Sequence, residues 1–506
     1  MSQSGGSHHS AFSDFLVLGV FALCIVALHV LTNGRYGFHR DELQVLDDAR
    51  HLAWGYVAYP PVTPFIERLL WQLFGASLVG LRLFSVLAQA AAIVLAGLMA
   101  RELGGRRFAQ IAASMAVIAS PFVLFQGTEF QYSSFDYLWW VLTAYLIVRL
   151  LKSEDPRWWL GVGIVIGLGM MTKYAMIFFV AGIVGGVLLT PERRYLKSPW
   201  LWCGVALALL VFLPNLIWQI RHNFISLDFL RSIHARDVRI GRTNGFLKDQ
   251  FMTSTNLFTV PLWLAGLFYL FVLPEGRRYR LLGWMFAIPF VLFVISKGRG
   301  YYLAPAYPML FASGAVLEER WLSSLRVGWR RFMRAATFVA LAVGGVAAAL
   351  ALVPFFPVNS PHNLAIKMNG EFREEVGWPE LVETVAKIRD SLPAPERARL
   401  GIFTGNYGEA GAIDLYGPAY GLPRAISGVN SYWLRGYGDP PPQILIIIGV
   451  PRGLMESNFQ SCRLAGHNPD PYGIRNEESM YHPDLFVCGP PDLPWPEFWK
   501  RLKYYG

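Results

Sequence analysis

The chain has 506 residues, of which 54% are hydrophobic and only 16% are charged. Because soluble domains carry about 25% charged residues, this balance excludes an ordinary soluble protein and predicts an α-helical polytopic membrane protein. The net charge of +10 fits the lysine and arginine excess of cytoplasmic loops. The sequence shows no basic run with interleaved aromatic residues, the pattern that would predict nucleic-acid binding.

About eleven apolar segments predict membrane-spanning helices, since a span needs roughly 20 mainly apolar residues. The first is interpreted as an anchor because it lacks the small-residue cleavage site of a signal peptide. The two segments on either side of Lys173 are short enough to be read also as one long helix. In chain order the segments are Phe15–Leu31, Leu78–Ala100, Phe108–Phe125, Phe135–Leu151, Trp158–Met171, Tyr174–Leu189, Trp200–Ile220, Leu257–Leu273, Leu281–Ile295, Tyr302–Leu317 and Ala335–Phe355.

Lysine and arginine in alternate connections set the predicted orientation, because they accumulate on the cytoplasmic side. All these basic clusters fall on one side if the segments around Lys173 count as two spans. The N-terminus is then cytoplasmic, and the prediction is a bacterial plasma (inner) membrane protein. Residues 1–356 form the predicted transmembrane domain, with an outer loop at 33–77, and residues 357–506 form an extracytoplasmic domain. The clusters begin at Arg101, Lys152, Arg193, Arg277 and Arg320.

The tail from Pro357 onward changes composition and predicts a small α/β domain. Glu380–Leu392 has helical periodicity, whereas Leu400–Thr404 and Ile444–Val450 are apolar runs typical of buried strands. Cys462 and Cys488 can pair if the tail is in an oxidising compartment, and the sequence leaves that pairing open.

Two segments of the tail, Asn406–Glu409 and Asn430–Trp433, carry polar and aromatic groups suited to sugar stacking. Turn formation and core packing are the favoured interpretation of both, because aromatic residues are abundant throughout the chain.

Two adjacent carboxylates, Asp41 and Glu42, follow the first span on the predicted outer side. Residues Glu42–Trp54 have helical periodicity, which would put Asp41 near the start of a helix lying along the membrane interface. An acid there can simply face the helix dipole, or it can accept a proton and act as a general base. We favour the catalytic interpretation, because charge near a membrane is costly unless it has a function.

Asp136 stands at the predicted outer end of the fourth span. A carboxylate there can orient an acceptor, hold a metal ion or cap the helix, and the sequence does not separate catalysis from capping. Glu42 and His234 are further candidates for a metal site, although no ligand pair has convincing spacing, so a divalent cation remains an open question.

Two predicted outer turns carry lysine, at Lys173 and at Lys297, against the usual distribution of positive charge. A single such lysine is commonly explained by snorkelling to lipid headgroups. Two of them, with Arg299 and glycines beside the second, indicate an anion site, because glycine allows close backbone approach and ammonium attracts phosphate. Arg231 belongs to an outer basic cluster that predicts either a lipid-headgroup surface or a clamp for a donor phosphate.

Several short motifs occur in a recognisable order along residues 12–320. Together they resemble membrane glycosyltransferases of the GT-C fold, in the branch of protein O-mannosyltransferases and aminoarabinose lipid A transferases. The first and last motifs are the most specific. They are Arg40-Asp41-Glu42, Pro60-Pro61, Leu81-Arg82-Leu83, Asp136, Met171-Thr172-Lys173 and Tyr301-Tyr302-Leu303-Ala304-Pro305.

The resemblance implies a polyprenyl-phosphate sugar as donor, an extracytoplasmic lipid, glycan or protein as acceptor, and Asp41 as the catalytic base. Relatives that modify lipid A carry an acid and a lysine just before the Pro-Pro step, where this chain has Ala58 and Tyr59. This departure argues against a lipid A acceptor and against a metal site of the family type.

The predicted reaction is an inverting sugar transfer in which Asp41 deprotonates the acceptor hydroxyl and cations stabilise the departing lipid phosphate. Glu42 and Asp136 are assigned to the same centre. A transporter or flippase of a lipid-linked or sugar substrate is the alternative, although it would favour acids buried in the middle of spans. The residues assigned to the donor phosphate are Lys173, Lys297, Arg299, Arg82, Arg231, Tyr301 and Tyr302.

Overall fold

The structure is a computed structural model that describes residues 5–506, with side chains from residue 15 onward. The predicted cytoplasmic N-terminal end, residues 1–4, lies outside the described residues. The chain divides into two compact units. The first comprises the chain up to Asn33 together with Arg82–Trp218 and Arg236–Val353. The second comprises Gly34–Leu81, Gln219–Ala235 and Pro354–Gly506.

Helices make up most of the chain, and a single five-stranded sheet lies near its end. The α-helices are α1 (Gly5–Thr32), α2 (Arg40–Arg50), α3 (Val62–Phe74), α4 (Leu78–Glu102), α5 (Arg107–Ile118), α6 (Pro121–Gln126), α7 (Tyr132–Ser153), α8 (Trp158–Met170), α9 (Met176–Leu189), α10 (Pro199–Arg221), α11 (Ile225–Arg239), α12 (Phe246–Met252), α13 (Val260–Phe271), α14 (Arg280–Ile295), α15 (Tyr307–Ser324), α16 (Val327–Leu352), α17 (Leu364–Met368), α18 (Trp378–Asp390), α19 (Ala394–Arg397), α20 (Tyr407–Tyr416), α21 (Asn430–Trp433), α22 (Arg452–Glu456), α23 (Glu477–Tyr481) and α24 (Trp495–Arg501). The strands are β1 (Leu400–Thr404), β2 (Ala425–Ser427), β3 (Ile444–Ile448), β4 (Arg463–His467) and β5 (Asp484–Cys488).

Within the described residues, six helices are long and apolar enough to cross a membrane, or eight if each of two bent helix pairs counts as one span. The bent pairs are Met176–Leu189 with Pro191–Lys197, and Phe246–Met252 with Leu257–Phe271. Helices α5 and α8 are apolar but shorter. A polytopic helical membrane protein is therefore confirmed, whereas the number eleven stays a prediction.

The first unit is a bundle in which α13 packs against α15 and α9 against α14. The contact of α13 with α15 is close because Gly266 lies against the backbone of Leu310 and Gly314 lies against the backbone of Leu262. Small residues allow this approach, which is common between helices in membranes. The bundle fixes the ends of α7 and α8 and the short 3-10 helix Gly300–Ala306, on which the polar residues described below lie.

The second unit contains a mixed sheet with the strand order β2-β1-β3-β5-β4. Strands β1, β2 and β3 are parallel, whereas β5 pairs antiparallel with both β3 and β4. The central strand β3 is the continuous apolar run Ile444–Ile448 and is almost wholly buried, as expected for a strand covered on both faces. The small α/β domain predicted in the tail is confirmed.

The core of this sheet domain is aromatic. Phe403 of β1 packs with Phe459 and Phe498, and Trp495 belongs to the same buried cluster. Cys462 and Cys488, whose pairing the sequence left open, form a disulfide bond at the edge of this core. The boundary at residue 356 between two domains stays a prediction.

Candidate active site

Helix α2 begins with a capping box, which fixes the backbone that carries Asp41 and Glu42. The ring of His39 accepts a hydrogen bond from the backbone N–H of Asp41 at 3.2 Å, and the carboxylate of Glu42 accepts one from the backbone N–H of His39 at 2.8 Å. Glu42 is buried. Its carboxylate therefore has a clear structural task at the helix start, and its assignment to catalysis or to a metal stays a prediction.

Asp41 lies in the first turn of α2 and is half-buried. Its Oδ1 accepts a hydrogen bond from the hydroxyl of Tyr407 at 2.7 Å. Tyr407 begins α20, whose own capping box is formed by Asn406 and Glu409. Sequence reasoning missed this role of Tyr407, because it assigned Asn406–Glu409 to a turn. The local sequence offered only a polar helix start at Asn406 followed by an aromatic residue, Tyr407.

Arg40, next to Asp41, ties the start of α2 to two other parts of the same unit. Its guanidinium forms ion pairs with Glu477 and, at 3.8 Å, with Glu374. Its side chain is only 15% exposed, so these pairs are partly shielded from solvent. This arrangement anchors the backbone that carries Asp41 and thereby limits the directions in which its carboxylate can point.

The far half of α2 carries a buried ionic cluster formed by Asp47, Asp48, Arg435 and Tyr59. Arg435 pairs with Asp47 and, at 2.5 Å, with Asp48. Tyr59 donates a hydrogen bond to Asp48 Oδ2 at 2.6 Å. Burial raises the pKa of Asp48 to about 6, although Arg435 opposes the shift. Tyr59, which directly precedes the Pro60-Pro61 step, is thus a buried structural partner of an acid.

In the first unit, Asp136 and Lys173 form an ion pair, although the sequence assigned them to different roles. Lys173 Nζ lies 3.7 Å from Asp136 Oδ2 and 3.3 Å from the hydroxyl of Ser133. Asp136 also accepts a hydrogen bond from the indole of Trp140 at 3.0 Å. Asp136 is buried in the first turns of α7, and Lys173 follows the end of α8. The pair therefore lies where two predicted spans end.

Three tyrosine rings surround the ammonium group of Lys173. Its Nζ lies 4.7 Å from the ring centre of Tyr302, 5.3 Å from that of Tyr301 and 5.2 Å from that of Tyr132. Aromatic faces within about 6 Å attract a cation through their quadrupole. The ammonium group of Lys173 is thus partly desolvated and lies next to Tyr301 and Tyr302, and the assignment of all three to the donor phosphate stays a prediction.

Arg299 extends this cluster of the first unit. Its guanidinium pairs with Asp237 at 2.6 Å and approaches the hydroxyl of Tyr301 at 3.5 Å. Lys297 is exposed two residues earlier, in a turn where its φ is +49°. Arg299 is thus placed close to Tyr301 and hence to the Lys173 cluster, whereas Lys297 faces solvent beside it.

Three other predicted residues have different surroundings. Arg82 is buried in the first unit and donates a hydrogen bond to the backbone carbonyl of Asn33 at 3.1 Å. Arg231 is exposed on α11 and lies 3.9 Å from Asp228, and His234 is exposed on the same helix. Nothing in these contacts joins them to the Lys173 cluster, so their assignment to donor phosphate or metal stays a prediction.

No group of three or more histidine, cysteine, aspartate or glutamate side chains suited to a metal ion is found among residues 5–506. The described groups offer a half-buried carboxylate at a helix start in one unit, and cations among tyrosine rings in the other.

Comparison with known proteins matches this chain to membrane sugar transferases. The family model described as dolichyl-phosphate-mannose-protein mannosyltransferase matches residues 58–218. The lipid A galacturonosyltransferase RgtD of Rhizobium johnstonii is 26% identical over 66% of this chain and 68% of its own length. An undecaprenyl phosphate-alpha-4-amino-4-deoxy-L-arabinose arabinosyl transferase of Pseudomonas fluorescens is 27% identical over 57% of this chain and 54% of its own length.

Solved structures extend the likeness to nearly the whole chain. ArnT from Cupriavidus metallidurans in the apo state has a TM-score of 0.57 and 16% identity, covering 95% of this chain and 98% of that one. The same protein bound to undecaprenyl phosphate has a TM-score of 0.54 and 14% identity, covering 94% and 97%. These likenesses show a common fold, which confirms the GT-C architecture implied by the motif order.

Proposed function

We propose that this chain, a membrane glycosyltransferase of the GT-C fold, moves a sugar from a polyprenyl-phosphate donor to an extracytoplasmic glycan or glycolipid, with Asp41 as the general base. The donor class is supported by the undecaprenyl phosphate named for the arabinosyl transferase and for one ArnT structure. The acceptor class is supported by relatives named for lipid A and for the lipopolysaccharide core.

The observation that carries the proposal is the position of Asp41 in the first turn of α2, half-buried and hydrogen-bonded by Tyr407 at 2.7 Å. A hydrogen bond to the carboxylate favours a defined orientation, which a general base needs in order to meet the proton it removes. The capping box of His39 and Glu42 fixes the backbone beneath it. Asp41 therefore combines a fixed backbone with a solvent-accessible carboxylate.

The proposed reaction is a single displacement at the anomeric carbon. Asp41 takes the proton of the acceptor hydroxyl while that oxygen forms a bond to the anomeric carbon. The bond from this carbon to the phosphate oxygen breaks, and the polyprenyl phosphate leaves with the electron pair. Configuration at the anomeric carbon inverts, because the acceptor attacks from the side opposite the leaving group.

The growing charge on the departing phosphate calls for cations and hydroxyl donors that are in place beforehand. Lys173, with its tyrosine neighbours, and Arg299 offer such groups in the first unit. Tyr301 and Tyr302 can donate hydrogen bonds to phosphate oxygens. We assign the donor phosphate to this cluster, and Asp136 to holding Lys173 in position.

Membrane placement follows from the chemistry of a lipid-linked donor. We propose that the chain lies in the inner membrane of a bacterium, with a cytoplasmic N-terminus and the sheet domain outside the cytoplasm. The distribution of arginine and lysine among alternate connections supports this orientation. A disulfide between Cys462 and Cys488 fits an oxidising compartment.

The test is transfer of label from a radiolabelled polyprenyl-phosphate sugar to acceptors in membrane extract by the purified protein. Asp41→Asn should lower the rate by about 10²- to 10⁴-fold, the usual contribution of a general base. The matched control is Asp470→Asn, because Asp470 is a carboxylate of the same unit that is half exposed and pairs only with Arg475 among the contacts seen.

Two results would contradict the proposal. Full activity of Asp41→Asn would remove Asp41 as the base. In proteoliposomes, label that crosses the bilayer without any covalent transfer would indicate the alternative, a transporter or flippase.

A further inference from the structure

A cavity of about 340 Å³ lies in the second unit, beside the C-terminal end of α2. Arg50 and His51 line it from α2, and Asp414 lines it from α20. Arg424 closes its other side, just before β2. The cavity is separate from the start of α2, where Asp41 lies, and none of its lining residues has a role in the proposed reaction.

Asp414 gives this cavity an acceptor for hydrogen bonds. Its Oδ1 accepts one from the backbone N–H of Ala425 at 2.9 Å. Its Oδ2 is buried and has no hydrogen-bond donor among the described residues, with Arg424 at 3.7 Å. A buried carboxylate oxygen without a hydrogen-bond donor costs folding free energy. A hydroxyl of a ligand in the cavity could donate the missing hydrogen bond to Oδ2. Burial and the charge of Asp47 raise the pKa of Asp414 to about 7.

Two guanidinium groups make the cavity attractive to an anion. The side chain of Arg424 is 61% exposed, and its contacts with Asp47 and Asp414 are long, at 3.4 and 3.7 Å. Arg50 is held firmly, since it donates to the backbone carbonyl of Asp414 at 2.6 Å and stacks over Trp71 at 4.8 Å. One arginine is thus fixed and the other is able to turn toward a ligand carboxylate or phosphate.

The remaining wall of the cavity is apolar and formed by Ile413, Pro418, Leu422 and Pro423. A rigid apolar surface opposite a few polar groups is the usual design of a small-ligand site. Such a wall suits the C–H face of a sugar ring, while the polar side suits its hydroxyl and acidic substituents.

We propose that this cavity binds an acidic sugar unit of the acceptor glycan, with Arg424 and Arg50 on its acidic group and Asp414 on a hydroxyl. The identification of this sugar as part of the acceptor rests on the proposed function. Arg50 lies nine residues after Asp41 on the same helix, which is about 14 Å at 1.5 Å per residue. A short oligosaccharide can bridge that span, so the cavity would select the acceptor at a distance from the reacting hydroxyl.

The binding test uses the purified full-length protein and three probes: digalacturonic acid, the uncharged disaccharide galactobiose, and inorganic phosphate. The native chain should bind digalacturonic acid at least tenfold more tightly than galactobiose, and Arg424→Gln should weaken it about tenfold through loss of a charge-assisted hydrogen bond. The matched control is Arg475→Gln, because the Arg475 side chain is 62% exposed and lies outside the cavity lining.

Asp414→Asn provides a second variant in case Arg424→Gln does not fold, and it should weaken both disaccharides. Equal affinity for the two disaccharides, an unchanged affinity of Arg424→Gln, or inorganic phosphate binding as tightly as digalacturonic acid would each overturn the assignment.

The experiments distinguish an error in the cavity assignment from an error in the proposed function. If Asp41→Asn retains sugar transfer while digalacturonic acid still binds in an Arg424-dependent way, the proposed base is wrong and the sugar site stands. If transfer depends on Asp41 while Arg424→Gln changes neither binding nor the KM for an acidic acceptor, the cavity assignment alone is wrong.

Discussion

A single hydrogen bond connects the proposed base to a residue 366 positions further along the chain. The hydroxyl of Tyr407 donates to Asp41 Oδ1 at 2.7 Å. A hydrogen bond to a carboxylate is among the stronger ones in proteins, at about 1.5–3 kcal/mol. We infer that Tyr407 is a positioning residue for Asp41, which holds the carboxylate in the orientation that proton transfer requires.

Tyr407→Phe removes this hydroxyl while keeping the ring. We expect kcat for sugar transfer to fall by about tenfold or more, with little change in the KM for the lipid donor, since only the orientation of the base is lost. Steady-state kinetics with a purified lipid donor measure both quantities. Tyr481→Phe is the control, because Tyr481 is 66% exposed. A Tyr407→Phe enzyme with native kcat would contradict the positioning role.

Lys173 and Asp136 form a buried ion pair at 3.7 Å, with side chains 12% and 4% exposed. Lys173→Ala should destabilise the protein by about 3–5 kcal/mol, because it leaves a carboxylate buried without its cation. Adding Asp136→Asn should restore much of that stability but not the affinity for a polyprenyl-phosphate donor. Thermal unfolding and a donor-binding assay separate the two effects, with the exposed Lys197→Ala as control. Native donor affinity in the double variant would remove Lys173 from the donor site.

The two groups of candidate residues, one in each unit, differ in how far the sequence could predict them. Lys173, Tyr301 and Tyr302 were expected together, because each lies at the end of an apolar segment and the order of the motifs fixes their side of the bundle. The contact of Tyr407 with Asp41 has no such signal. It depends on how α20 packs on α2, and no local pattern encodes a pairing over 366 residues.

At the scale of elements, the position of Asp41 depends on the packing of α2 against α20. Gly411 of α20 lies so close to Leu43 of α2 that a Cβ at this position would come within 2.7 Å of its backbone oxygen and of its side chain. Gly408, one turn earlier, faces Arg40 in the same way. These glycines set the separation of the two helices and hence the reach of Tyr407.

Gly411→Ala should therefore push α20 away from α2. We expect a loss of about 1–3 kcal/mol in the free energy of unfolding, as for other overpacked cores, together with a fall in transfer activity. Denaturant unfolding and the transfer assay measure the two. Gly453→Ala on α22 is the control, because nothing lies within 4 Å of a Cβ there. Equal stability of Gly411→Ala and native protein would show that the helices can separate without cost.

Two of the five strands, β1 and β3, were predicted, because each is an apolar run typical of a buried strand. Strand β1 has the predicted bounds Leu400–Thr404, and β3 covers Ile444–Ile448 within the predicted segment. Strand β4, Arg463–His467, was not predicted because it lies at the edge of the sheet and is largely exposed. Its sequence, with a glycine and terminal charged or polar residues, therefore carries neither an apolar run nor an alternation.

At the scale of the whole molecule, the second unit contains several buried carboxyl groups with raised pKa values. Burial raises the pKa of Glu478 and that of Asp414 to about 7. Burial and the neighbouring Glu478 raise the pKa of Glu409 well above its usual range. The folded chain therefore binds more protons near neutral pH than the unfolded chain does, and its stability must fall as these protons are lost.

We expect the midpoint of thermal unfolding to decrease when the pH rises from 6.5 to 8. Stability from these groups is complete below their unfolded pKa values and is lost as the pH passes about 7. His51 and His482, whose pKa values burial lowers from 6.5, act in the opposite sense around and below pH 6.5, so the decrease should be clearest above pH 7. Scanning calorimetry of the full chain checks the slope.

Glu478→Gln mimics the protonated side chain and should flatten part of this slope. The surface variant Glu456→Gln, at an exposed ion pair with Arg452, should leave it unchanged. A midpoint that rises between pH 6.5 and 8, or the same slope in both variants, would contradict the expected linkage.

The ion pair between Asp48 and Arg435 joins residues 387 positions apart. At about 5–20 residues per second, ribosomes need roughly 20–80 seconds to make the chain between them. Helix α2 is therefore synthesised long before the arginine that pairs with its two buried acids. During that interval Asp47 and Asp48 lack this partner, so α2 can be buried with its ion pairs complete only after residue 435 has been translated.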